Sequence, residues 1–171
     1  MWDADFQGLL SGHVEADETY VGGKRPGKRG RGDGGKTVVM GVKERGGPVK
    51  ATVVPNAKTE SLRTVINGAV EKGSYVSMDE WSACNLLASD GFTHGRVNHS
   101  AKQWATQDAM NDQRISTNGI ENFWRQLKVS IRSTHISVSP QHMPKYLGEF
   151  TFRANHSSEV NRMFDRLIAA F

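Results

Sequence analysis

The run TVVMGVKERGGPVKATVV, residues 37–54, constrains this chain more than any other stretch. Two β-rich pieces, 37–43 and 49–54, flank ERGGP, whose glycine pair and proline suit a tight hairpin turn. Upstream, HVEADETYVGG holds a further short strand, 14–21, closed by another glycine pair. Three strands in antiparallel succession follow from this spacing. At Thr59 the period changes. TESLRTVINGAVEKG opens on a Thr cap, places Leu62, Val65, Ile66 and Val70 at helical spacing, and stops at Gly73.

Beyond that helix, SYVSMDEW reads as a fourth strand ending in Asp79 and Glu80, SACNLLASDG as a short helical stretch, and HGRVNHS as a fifth strand. AKQWATQDAMNDQRI is polar and reads as a loop or insertion. Three helical segments complete the chain: STNGIENFWRQLK, then SPQHMPKYLGEFTFRANH with a Ser-Pro start, then the amphipathic SSEVNRMFDRLIAAF. The order predicts an α/β fold, a mixed five-stranded sheet with its first three strands antiparallel, flanked by helices. It matches the ribonuclease-H-like arrangement, in which acids on the first strand, after the fourth strand and on a late helix converge on metal ions. The expected organisation is a short N-terminal remnant (1–12), a single domain (13–156) containing a basic loop, and a C-terminal helix (157–171).

A length of 171 residues suits one domain. No apolar run approaches the roughly 18 residues of a membrane span. The N-terminus, MWDADFQGLLSG, lacks the basic start and apolar centre of a signal peptide, so a cytoplasmic protein with no membrane partner is expected. One cysteine, Cys84, rules out an internal disulfide and a cysteine-rich zinc site. A metal here would be held mainly by oxygen. The histidines show no H-x-x-x-H spacing, and His99 in VNHS has either a role near a site or a structural one. The net charge of +4 is concentrated in KRPGKRGRGDGGK, where Lys24, Arg25, Lys28, Arg29, Arg31 and Lys36 face only Asp33, which leaves the remainder slightly acidic. A glycine-rich basic loop of this kind is either a solvated loop or a phosphate-binding segment.

Phosphodiester chemistry needs an activated oxygen nucleophile and stabilisation of the leaving oxygen, and a pair of divalent ions supplies both. Mg²⁺ prefers carboxylates and water, so acids at the centres or ends of elements become candidates. On the first strand Glu15, Asp17 and Thr19 share one face, with Glu15 and Glu18 as neighbours or decoys of Asp17. Asp79 follows the apolar YVSM run, at the end of a strand where ligand crevices open. In NGIENFWRQLK, Ile120, Phe123, Trp124, Leu127 and Ile131 form an amphipathic stripe. Glu121 and Lys128 are two turns apart on one side, with Arg125 between them. Structural roles compete for the same residues: Asn118-x-x-Glu121 resembles a capping box, and Glu121 with Arg125 is an ordinary i, i+4 pair.

Taken together, VEADETYVGGK, SMDEW, VNHS, TNGIENFWRQLK and VSP followed by YLGEFTFRAN resemble, in order, the bacterial insertion-sequence transposases of the DDE superfamily, in their ISXO-type integrase-like domain. The resemblance covers about 12–156. It implies a ribonuclease-H-like fold and metal-dependent DNA cleavage and strand transfer, with two Mg²⁺ (or Mn²⁺) ions as cofactors. Asp17 then matches the first catalytic acid and Asp79 the second, while Asn118 and Glu121 are both eligible for the third position. Glu121 is favoured because carboxylate binds Mg²⁺ better than amide and because Lys128 lies seven residues on. Double-stranded DNA, as element end and target, is the implied partner, and a homo-oligomer is allowed. Lys128, Arg125, Arg132 and the basic loop would contact phosphates. Relatives usually carry an N-terminal zinc ribbon, so a truncated, catalytically inactive DNA-binding remnant is the alternative reading.

Overall fold

The computed structural model describes residues 7–22, 36–79, 84–97, 105–135 and 138–168. Five strands, β1 (His13–Val21), β2 (Thr37–Glu44), β3 (Val49–Val54), β4 (Tyr75–Asp79) and β5 (Thr93–Val97), form one sheet in the order β3-β2-β1-β4-β5. The first three are antiparallel, and β4 and β5 run parallel to β1. This is the mixed sheet of the ribonuclease-H-like class. Gly46, at φ 75°, makes the β2–β3 turn that the glycine pair foretold.

Helices cover both faces, which explains why β2 is apolar along most of its length rather than alternating. One face buries Val14, Ala16, Met40 and Val42 against Leu62 and Ile66 of α1 (Thr59–Ala69). The other buries Val39 and Val49 against α3 (Asn118–Thr134) and α4 (Met143–Asn155). The stripe read from the sequence is the buried side of α3: Ile120, Phe123, Trp124, Leu127 and Ile131. Between β4 and β5 lies α2 (Cys84–Leu87), followed by one 3₁₀ turn. The chain ends in α5 (Val160–Ile168). Among the described residues no helix is long and apolar enough to cross a membrane.

Several local expectations are corrected. α1 ends at Ala69, not Gly73, because Val70 leaves the helix to form a parallel bridge with the buried Leu10. Its N-cap is Lys58, not Thr59, and Asn56 Oδ1 accepts from the Lys58 amide and the Ser61 hydroxyl. The supposed loop before α3 contains a two-stranded hairpin, β6 (Thr106–Asp108) and β7 (Gln113–Ile115). Tyr75 donates to Asp108 across 2.7 Å and ties this hairpin to the sheet. α4 begins at Met143 rather than at the Ser-Pro pair, whose Ser139 carbonyl instead accepts the His142 and Met143 amides in a turn.

Candidate active site

Asp17 lies in the middle of β1, opposite Gly41 of β2. Its parallel neighbour β4 is in register through Ala16 and Met78, so the next residues, Asp17 and Asp79, sit side by side on the same sheet face. That face looks toward α3, whose first turn carries Glu121. Three acids far apart in sequence therefore meet on one side of the sheet. Burial, followed by the charges of Glu18, Glu121 and Asp79, pushes the Asp17 carboxyl up to about 8, against a partial offset from the Glu18 amide. A carboxyl raised by burial and by neighbouring carboxylates is a group that gains from a cation.

Glu121 accepts a hydrogen bond from Thr117 Oγ1 at 2.6 Å. Among the described residues no three His, Cys, Asp or Glu side chains already stand at metal-ligating spacing. The three acids share an electric field rather than a finished cage. Asn118 is exposed at the first position of α3.

The capping box is not formed. Thr117 is the N-cap and makes no side-chain cap bond. Glu15 takes that work from β1: its Oε2 accepts the amides of Gly119 at 2.6 Å and Ile120 at 3.0 Å. Arg125, the expected i, i+4 partner of Glu121, is exposed and donates to Asn122 at 2.8 Å. Two glycines let α3 approach this closely. A Cβ on Gly119 would stand 2.7 Å from Glu15 Oε2, and one on Gly41 would stand 2.4 Å from the Trp124 ring.

Lys128 is half-buried within the field of Asp17. Desolvation lowers its affinity for a proton, Asp17 raises it, and Arg132 and Lys36 lower it further. Lys36, Lys128 and Arg132 thus form a cationic group beside the acids. Lys24, Arg25, Lys28, Arg29 and Arg31, like Glu80 and His99, lie outside the described residues. On the same face His13 bridges Ser77 of β4 at 2.6 Å and Gln113 of β7 at 2.9 Å. Burial holds its imidazole below the ordinary value.

Sequence reasoning put Glu15 on the face of Asp17 but assigned it no task. The available signal was the placement of a second carboxylate two residues before Asp17, together with a glycine at the start of a helix. The sequence model of the ISXO2-like transposase domain family matches residues 9–155. The chain is also 33% identical over 109 residues, 64% of its own length and 82% of the relative's, to a protein of Haemophilus influenzae described as an uncharacterized transposase-like protein.

Proposed function

The chain belongs to the ISXO2-like transposase domain family, and on that premise we propose that Asp17, Asp79 and Glu121 hold two divalent cations, Mg²⁺ or Mn²⁺, for cleavage and strand transfer of an insertion sequence. The observation that supports this reading is the arrangement of Asp17 on β1, Asp79 at the end of the adjacent parallel β4, and Glu121 in the first turn of the helix that packs on that face. An all-oxygen set suits hard cations, and the donors come from two adjacent strands and a helix, elements rigid enough to hold them apart. When bound, such ions lower the pKa of an attacking water or hydroxyl and stabilise the leaving oxygen.

The residues divide the remaining tasks. Asp17 would have to give up its proton to hold a cation, so metal affinity is expected to rise with pH up to about 8. Glu121, whose Oε1 accepts from Thr117, would supply the third carboxylate, with the Asn118 amide oxygen as the alternative third donor. Lys128, Arg132 and Lys36 receive the phosphates of element-end and target DNA, with the basic loop of Lys24, Arg25, Lys28, Arg29 and Arg31 and the outward-facing Arg125 extending that contact. Such contacts position DNA without reading its sequence. Hydrolysis of the phosphodiester at the element end would free a 3′-hydroxyl, and that hydroxyl would attack a target-strand phosphorus in line, displacing the 3′-oxygen of the neighbouring target nucleotide.

The test is a cleavage and strand-transfer assay on element-end DNA with Mg²⁺ or Mn²⁺, paired with a Mn²⁺ titration. Asp17→Asn and Asp79→Asn are expected to abolish both reactions, and full activity in either variant sinks the assignment. The engagement of Glu121 Oε1 by the Thr117 hydroxyl fits a second reading, a DNA-binding domain without catalysis. That reading predicts intact DNA binding with neither Mn²⁺ binding nor nicking.

A further inference from the structure

β1 presents two carboxylates to α3, and the surroundings sort them into different uses. Glu15 is only 4% exposed, yet both its oxygens are engaged. Oε2 receives the Gly119 and Ile120 amides, and Oε1 receives Arg45 Nη2 at 3.3 Å. Arg45 continues from the β2–β3 turn to the Ser116 hydroxyl at 3.2 Å and the Arg114 carbonyl at 2.7 Å. One ion pair therefore fastens both the end of β7 and the start of α3 to the strand that carries Asp17.

The amides it takes are among the first of the helix, which have no partner within the helix, and the charge meets the positive end of the helix dipole. Gly119 is required for this contact, since a Cβ there would intrude on Glu15 Oε2. Glu121 follows two residues later in the same turn. A slide of that turn along β1 moves Glu121 relative to Asp17 directly.

We propose that Glu15, held by Arg45, is a positioning residue that locks the first turn of α3 and so sets the spacing of Glu121 from Asp17 for the cations. This rests on the metal-binding reading above. Glu15 itself ligates nothing, because its oxygens are committed to the helix and to Arg45.

The experiment compares the whole chain as wild type, Glu15→Gln and Arg45→Gln by Mn²⁺ titration calorimetry and by hydrogen exchange at the Gly119 and Ile120 amides. In Glu15→Gln the amide oxygen is a weaker acceptor and its NH₂ opposes Arg45. Expected are faster exchange at both amides, Mn²⁺ affinity reduced about tenfold, unchanged DNA binding, and cleavage recovered by excess Mn²⁺. A purely structural role would not yield that recovery. Wild-type Mn²⁺ affinity and wild-type exchange in Glu15→Gln overturn the proposal. Should Glu15→Gln not fold, Arg45→Gln carries the test, since that side chain is 35% exposed: a smaller change in the same direction supports the lock, and no change in either measurement overturns it. If the wild type binds no Mn²⁺, the metal reading fails, while amide exchange still decides whether Glu15 holds the helix.

Discussion

Replacing Asp17 with Asn should make the metal-free protein more stable while removing a ligand of the proposed metal site. The carboxyl titrates at about 8 in the fold against 3.8 when unperturbed. Between those values the unfolded chain has released the proton and the folded chain has kept it, so the contribution of Asp17 to wild-type stability is fully present below 3.8, falls as pH rises, and levels off above about 8. At about 1.4 kcal/mol per pH unit the loss approaches about 4 kcal/mol at pH 7. Relaxation of Glu18, Glu121 and Asp79 around a charged Asp17 reduces this, and we expect the Asp17→Asn variant to gain about 2–4 kcal/mol at pH 7. That corresponds to roughly 5–10 °C in Tm for a chain of this size. The isosteric amide can keep the bond from the Glu18 N–H, so little is lost in return. The assay is chemical denaturation of both proteins in chelator from pH 4 to pH 9, with and without Mn²⁺. The stability gap should be near zero at pH 4, widen to about pH 8, and narrow or invert when Mn²⁺ binds the wild type alone. A variant equal to or less stable than wild type throughout, in chelator, would refute the argument from burial and carboxylate crowding at Asp17.

Gly41→Ala should cost about 1–3 kcal/mol by overpacking, because the new methyl would meet the Trp124 ring at 2.4 Å and Ile120 Cδ1 at 2.9 Å. Since Gly41 lies opposite Asp17, the displaced α3 should also lower cleavage more than the stability loss explains, measured at a temperature where the variant is fully folded. Lys128→Met should weaken DNA binding about equally across sequences and reduce the salt dependence of the affinity by about one charge. An unchanged salt slope would remove Lys128 from the phosphate contacts.

Much of the fold was legible because its signals are local. The β2–β3 hairpin announces itself through valine-rich strands and a glycine turn, and α3 through an apolar residue every three or four positions. β6 and β7 were not legible: TQD and QRI are three residues each and carry no alternation, and pairing with each other and bonding to Tyr75 and His13 is what makes them strands. The end of α1 was misread for the same reason, since Val70 answers to Leu10, far back in the sequence, rather than to its own helix.

The sequence by itself determined which carboxylates could serve, because strand alternation puts Glu15 and Asp17 on one face and helical spacing puts Glu121 on the polar side of α3. Only the tertiary structure shows what each of them touches. Glu15 and Gly119 are separated by 104 positions, and no periodicity reports that the amides at the start of one helix will require an acceptor from a distant strand. Once α3 docks on the sheet, Glu15 satisfies those amides and is consumed as a cap. Asp17, buried beside Asp79 and Glu121, is left with like charge around it and a proton it holds to about 8. Local pattern follows from backbone geometry, but the division of labour among identical functional groups follows from desolvation and neighbouring charge, which exist only when the chain is folded.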